Sequence, residues 1–137
     1  LRRLNSHIVG EDAGIIVFDF ATGQTGLFDG NRLNEHVAEN TRLTMGEMWL
    51  EGSAGVLRLD GCARLWWKPQ GGKEALHPYS WPDTGFAGDS VHALQAHVIS
   101  HLRDGTYLEN SAREYLRNIE IEEAVYRSAK ENRHVPL

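Results

Sequence analysis

The stretch AGVLRLDGCARLWWK, residues 54–68, sets two short apolar runs on either side of Asp60-Gly61. An Asp-Gly pair between alternating apolar residues is among the strongest short-range hairpin signals, so two antiparallel strands are expected here. Successive side chains of a strand point to opposite sides, which places the rings of Trp66 and Trp67 on opposite faces of the sheet. A sheet with a large apolar ring on each face needs cover on both. Helices of the same chain can supply one cover, and a partner subunit or another domain is expected to supply the other.

Working outward, TRLTMGEMWLEG (41–52) reads as a further strand preceding this hairpin. The stretch AGIIVFDFATGQTGLFDGNRL (13–33) reads as two more strands around the turn-forming pair Thr22-Gly23. In the first of these, Ile16, Phe18 and Phe20 share one face while Ile15 and Val17 share the other. The segment NSHIV (5–9) is a candidate sixth strand, and KPQGGKEALHPYSWPDTGF (68–86), rich in proline and glycine, reads as a loop.

Two helices follow. The first is expected from about Ser90 to Arg103, with Asp89 or Ser90 as N-cap and Gly105 just past its end. The second lies in ENSAREYLRNIEIEEAVYRSAKENR (109–133), with Ala112, Tyr115, Leu116, Ile119, Ala124 and Ala129 spaced at threes and fours, and Glu120, Glu122 and Glu123 facing water. Strands first and helices last define an α+β fold: a mainly antiparallel open sheet of about 5–6 strands with two C-terminal helices on one face and the other face available for contact.

A chain of 137 residues suits one domain, residues 1–137, with a single core. Apolar residues at 41% and charged residues at 24% are globular values. The net charge of -5, with Lys and Arg dispersed, argues against a nucleic-acid surface. No apolar run approaches the roughly 18 residues of a membrane helix and no signal-peptide pattern is present, so a cytoplasmic protein without a membrane partner is expected. Cys62, the single cysteine, cannot form an internal disulfide and reads as a small buried hydrophobe. The chain starts at Leu1 rather than Met, and a longer parent polypeptide is expected.

The first helical stretch, GFAGDSVHALQAHVISHLRDG (85–105), carries His92, His97 and His101. At about 100° per residue, Val91, Leu94, Val98 and Leu102 form its expected core stripe, with His97 and His101 on one flank and His92 on the opposite one. The three histidines therefore cannot converge on one ion. His97 and His101 have the spacing that lets two imidazoles share a zinc, with Asp104 nearby, but no Glu follows His97 and no further ligand set is recognisable. No metal is expected, and the pair reads as structural. His92 lies in the first turn, directly after a loop bearing Tyr79, Trp81, Phe86 and Asp89, and helix starts with their feeding loops are favoured places for polar site residues. Its plain alternative is a solvated first-turn histidine.

The whole run from Gly85 to Leu137, with its helix, Gly-containing break and second helix around EAVYRSA, resembles the C-terminal end of the Gfo/Idh/MocA family of NAD(P)-dependent oxidoreductases. The preceding GNRLNEHVAENTRLTMGEMWLEGSAGVLRLDG (30–61), with its EGSAG turn, resembles the central strands of that family. The resemblance implies an N-terminal Rossmann domain outside this chain and a C-terminal α+β domain that shapes the substrate pocket and mediates homo-oligomerisation. This chain lacks a G-x-G-x-x-G after a strand, the Glu-Lys-Pro motif and the D-x-x-x-H stretch of the family. NAD or NADP is accordingly expected on the missing Rossmann domain and not on this chain.

What the resemblance leaves here is the edge of a substrate site. It points to His92 at the start of the penultimate helix, with Asp89 as a neighbour or merely the N-cap, and with Tyr79, Trp81 and Phe86 lining the pocket or pinning the loop. Asn31, Arg32, Glu47 and Trp49 on the strands make a mixture suited to sugar hydroxyls, although Arg32 with Glu47 can also be a plain cross-strand ion pair. No catalytic residue is expected in the chain itself. The implied function is the substrate-binding and oligomerisation domain of an NAD(P)-dependent dehydrogenase acting on a sugar, cyclitol or related polyol, with the isolated chain inactive. The competing expectation is a free-standing ligand-binding or dimerisation module without enzymatic activity.

Overall fold

Among the described residues, six strands and two helices follow one another in the order β1 (Ala13–Asp19), β2 (Thr25–Asn31), β3 (Met48–Gly52), β4 (Gly55–Leu59), β5 (Leu65–Pro69), β6 (Ala75–Leu76), α1 (Ser90–Asp104) and α2 (Ala112–Glu131). The computed structural model describes residues 1–137 apart from Ser6, Ile8, Asp83 and Phe86. The fold is α+β and every strand pairing is antiparallel, with the strands divided between a β1–β2 hairpin and a four-stranded β3–β4–β5–β6 meander. The chain forms two compact units, one of residues Leu1–Asn34 with Leu108–Leu137 and one of Glu35–Tyr107.

The first unit is built on the β1–β2 hairpin and α2. Ile16 and Phe18 are half-buried on one face of β1, and with Ile121, Val125 and Tyr126 of α2 they line an apolar cleft of about 390 Å³. Ile15, Val17 and Leu27 on the other face are exposed. The inward stripe of α2 runs through Ile121, Ala124, Val125 and Ser128, with Ala124 fully buried, whereas Tyr115 and Leu116 are exposed. The earlier stripe residues 112, 115, 116 and 119 therefore point the wrong way for this unit: a helix presents only one narrow face to a two-stranded hairpin, and here the second half of α2 sets its phase. Ser111 caps α2 by accepting the Glu114 N–H at 3.3 Å, and Asn132 ends it in a left-handed conformation. Asp12 is buried and accepts the N–H groups of Leu4 at 2.7 Å and Asn5 at 2.6 Å. These bonds, the one from Leu4 foremost, hold its carboxyl below the usual carboxylate range.

The second unit holds the four-stranded sheet and α1. Register divides its residues cleanly: Met48, Leu50, Leu57, Leu59, Leu65, Trp67 and Ala75 share one face, while Trp49, Glu51, Val56, Arg58, Trp66, Lys68 and Leu76 share the other. The two adjacent tryptophans thus lie on opposite faces, as alternation requires. The candidate strand NSHIV includes Ser6 and Ile8 and so lies partly outside the described residues. Near that segment the described pairing is the bridge of Arg2 to Ala13, and β6 instead falls inside 68–86, where the alternation is too short to stand out against proline and glycine. Residues 41–47 also lie outside β3.

Both wide hairpin loops close the same way. Gly23 N–H bonds the Phe20 carbonyl and Phe20 N–H the Gln24 carbonyl, while Ala63 N–H bonds the Asp60 carbonyl and Asp60 N–H the Arg64 carbonyl. This is a three-residue loop whose last residue is left-handed, with φ of 91° at Gly23 and 59° at Ala63. The Asp60-Gly61 pair therefore opens a longer loop, and the left-handed position falls on an alanine whose Cβ is disfavoured there by about 1 kcal/mol. Ala63→Gly is expected to raise the stability of this unit by about 1 kcal/mol, read as a higher midpoint in thermal unfolding. An unchanged or lower midpoint would contradict the strain assigned to Ala63.

α1 begins at Ser90 after Asp89 and ends at Asp104 before Gly105, whose N–H bonds the His101 carbonyl at 2.9 Å. Its expected core stripe is not enclosed: Val91, Leu94 and Leu102 are exposed and Val98 is half-buried. Periodicity reports which face is apolar, and the covering of that face is a separate matter.

Candidate functional site

Polar and aromatic side chains gather in the second unit on the mixed face of the sheet and at its β4–β5 turn. Trp49, Arg58 and Trp66 stand in one cross-strand row on β3, β4 and β5. The Arg58 guanidinium lies 5.6 Å from the Trp49 ring centre and 5.1 Å from that of Trp66, within range of cation–π attraction to both. Glu74 grips its edge in a two-point pair, Nε to Oε1 at 3.2 Å and Nη2 to Oε2 at 2.9 Å. This pair, foremost among several carboxylates that include Asp60 and Glu47, holds Arg58 even more firmly protonated than usual. A guanidinium between two rings and a carboxylate fork is fixed in orientation before any ligand arrives.

Asp60 organises the turn beside it. It is 7% exposed, and its carboxylate accepts the N–H of Cys62 at 3.0 Å, the N–H of Arg64 at 3.1 Å, Arg64 Nε at 2.8 Å and the Trp66 indole N–H at 2.9 Å. Burial pushes its pKa up, but the donors from Trp66, Arg64 and Cys62 outweigh burial and bring it down to about 2. Gly61 is required by close approach, since a Cβ there would stand 2.3 Å from the Val37 carbonyl oxygen and 2.6 Å from the His36 ring. His36 Nε2 meets Thr44 Oγ1 at 3.1 Å, so the segment around residue 36 is held over the turn. The result is an open cleft of about 450 Å³ whose wall includes Glu39, Glu47, Arg58 and Arg64.

The residues singled out in the sequence fall at three places. Glu47 lines this cleft and Trp49 backs it through Arg58. Tyr79 donates its hydroxyl to the Ala63 carbonyl, pinning its loop to the turn. Asp89, with φ of 65°, does not cap α1 with its side chain, which instead accepts the Thr84 hydroxyl at 2.6 Å. Trp81 packs near Gly88 in the same loop, and His92 is exposed in the first turn of α1. Phe86 lies outside the described residues. Asn31 and Arg32 belong to the first unit, where the Asn31 side chain accepts the Leu33 N–H at 2.8 Å and Arg32 donates its backbone N–H to the Asp12 carbonyl at 2.9 Å. Arg32 follows the end of β2 in the first unit, and Glu47 directly precedes β3 in the second.

His101 donates Nδ1–H to the Thr106 carbonyl, closing the helix end, and His97 is half-buried. Among the described residues no group of three or more His, Cys, Asp or Glu side chains is placed to hold an ion. No described helix is long and apolar enough to cross a membrane.

Arg58, Asp60, Arg64, Trp66 and Glu74 escaped the sequence reading as site residues. The signal available was the register: a three-residue loop after Asp60 sets Arg58 opposite Trp66, whereas a two-residue loop does not.

Over nearly its whole length the chain is similar to part of a dehydrogenase and part of an oxidoreductase. It is 32% identical over 141 aligned positions to the D-apiose dehydrogenase of Paraburkholderia graminis, an alignment covering 98% of this chain and 37% of that protein. The crystal structure of an oxidoreductase from Agrobacterium radiobacter, in complex with NAD+, L-tartaric acid and magnesium, superimposes with a TM-score of 0.75 at 25% identity, covering 96% of this chain and 40% of that one. The chain thus spans well under half the length of these relatives. No family model matches it. Both relationships agree with a chain that is one part of a longer oxidoreductase.

Proposed function

We propose that this chain is the C-terminal substrate-binding and homo-oligomerisation domain of an NAD(P)-dependent dehydrogenase of the Gfo/Idh/MocA type, acting on a sugar, cyclitol or related polyol. The observation that carries the reading is coverage: almost all of this chain aligns with a dehydrogenase and with an oxidoreductase solved with NAD+, and it accounts for about two-fifths of each. The sequence has no glycine cradle for a dinucleotide, so the residues present do not fit that cofactor. No step of hydride transfer is assigned to them. Their part is to bind and orient a hydroxylated substrate, using polar and aromatic side chains such as Glu47, Trp49 and His92.

The apolar face of the four-stranded sheet supports the homo-oligomer reading. Met48 and Leu50 on its edge strand are 48% and 55% exposed, and Leu57, Leu59, Leu65 and Trp67 continue the same face. A contiguous apolar surface of this kind suits association, and a second copy of the sheet is the occupant we assign to it.

The test is an assay of the natural polypeptide carrying this chain, with NAD+ and NADP+ offered separately against a panel of pentoses, hexoses and cyclitols. Substrate-dependent formation of the reduced nicotinamide is expected, with residues 1–137 alone giving none. A parent polypeptide that reduces neither nucleotide with any member of the panel would overturn the dehydrogenase reading and leave the non-enzymatic binding module.

A further inference from the structure

We infer that the cleft at the β4–β5 turn is a binding site for an uncharged vicinal diol, and that it selects against the acidic forms of the same sugars. This deepens the reading of the chain as a substrate domain and rests on it.

The argument begins with the two guanidinium groups on the cleft wall. Arg58 gives Nε and Nη2 to Glu74, and Arg64 gives Nε to Asp60. Each cation is thereby matched by one carboxylate, yet each guanidinium has five N–H donors. Among the described residues, Arg58 Nη1 and both terminal nitrogens of Arg64 have no protein hydrogen bond and are available as directional donors without adding net charge. The wall also carries Glu39 and Glu47, which are exposed and act on Arg64 and Arg58 through their charge. Their oxygens are acceptors.

A hydroxyl group donates one hydrogen bond and accepts others, so two adjacent hydroxyls can accept from the guanidinium edges and donate to the glutamates together. A carboxylate can only accept. It would gain the guanidinium donors, already neutralised by Glu74 and Asp60, and would face the negative charge of Glu39 and Glu47. The balance of Arg58 and Arg64 against Glu39, Glu47, Asp60 and Glu74 is negative, which disfavours an anion. The Trp49 and Trp66 rings, within cation–π range, and the Glu74 fork restrict the orientation of Arg58, so its donor pattern is preset.

The experiment is equilibrium binding by calorimetry to the natural polypeptide at neutral pH and low ionic strength. The probes are D-ribose and myo-inositol as uncharged ligands, and D-gluconate and L-tartrate as acidic ones. The uncharged probes are expected to bind about tenfold more tightly, a ratio worth about 1.4 kcal/mol, and the ratio should shrink as salt is added. The double variant Glu39→Gln with Glu47→Gln alters two exposed side chains, keeps their size, and is expected to bring the two probe classes within about twofold. Acidic probes that bind as tightly as the uncharged ones, failure of either class to bind, or a ratio unmoved in the double variant would each overturn the inference. Nucleotide-linked turnover is followed separately: turnover with an unmoved ratio defeats this inference alone, whereas selective binding without any turnover defeats the dehydrogenase reading and leaves the cleft.

Discussion

Asp60→Ala is expected to lower the stability of the second unit by about 3 kcal/mol, the size of effect associated with breaking a buried hydrogen-bond network around a charge. The substitution strands four donors at once: the Cys62 and Arg64 N–H groups, the Arg64 guanidinium and the Trp66 indole. It also releases the loop in which Ala63 is held left-handed, since that loop is closed by the same residue's backbone and carboxylate. Asp60→Asn separates the parts. Its amide oxygen can still accept the two backbone N–H groups, while its NH₂ cannot accept from Arg64 Nε or Trp66 Nε1, so an intermediate loss is expected. All four tryptophans lie in this unit, which makes their fluorescence a specific reporter of its unfolding.

The same carboxylate sets an acid dependence. Its pKa is about 2 in the fold against 3.8 for a free aspartate carboxyl, so the folded state binds the proton less readily than the unfolded one. The stabilisation it supplies is complete above about pH 4 and is lost as the pH falls through about 2. The gap in stability between the parent and Asp60→Asn should therefore be constant near neutrality and narrow between about pH 4 and 2. A gap that stays constant down to pH 2, or an Asp60→Ala variant within about 0.5 kcal/mol of the parent, would show that the turn does not depend on this charge.

How far the sequence could be read depended on the range of the interaction. Alternation around Thr22-Gly23 and Asp60-Gly61 was enough to place four strands, because strand identity is a local pattern. The exact loop was not legible: Asp-Gly suits a two-residue turn, yet the Asp60 side chain bonding Cys62 and Arg64 favours the longer one. That difference decides the register, and the register decides that Arg58 meets Trp66 and Trp49. The aromatic and charged cluster therefore stayed hidden although its residues were in view. Gly105 marked the end of α1 correctly because a left-handed cap is a local demand. The exposure of Leu94 and Leu102 was not legible, since what covers an apolar stripe is a property of its neighbours. β6 failed for a third reason, two paired residues being too few to carry a period.

Leu50→Glu is expected to weaken self-association of the parent protein by at least about 100-fold while leaving the folded chain intact. Leu50 sits on β3, the edge of the four-stranded meander, on the face shared by Met48, Leu57, Leu59, Leu65 and Trp67. It is 55% exposed in the isolated chain, so its replacement removes little that holds this unit together. In a face-to-face contact between two copies it is buried, and losing a buried leucine costs about 1.5–3 kcal/mol before the penalty of enclosing an unpaired carboxylate is added. About 2.7 kcal/mol corresponds to a 100-fold change in an association constant. Glu51→Gln, one residue along the same strand but on the mixed face, is the control and should leave association unchanged. Light scattering over a concentration series reads the outcome directly, with circular dichroism confirming that both variants fold like the parent. If Leu50→Glu assembles as the parent does, the apolar face is covered by something other than a second copy, and the part of the polypeptide outside residues 1–137 becomes the occupant to test next.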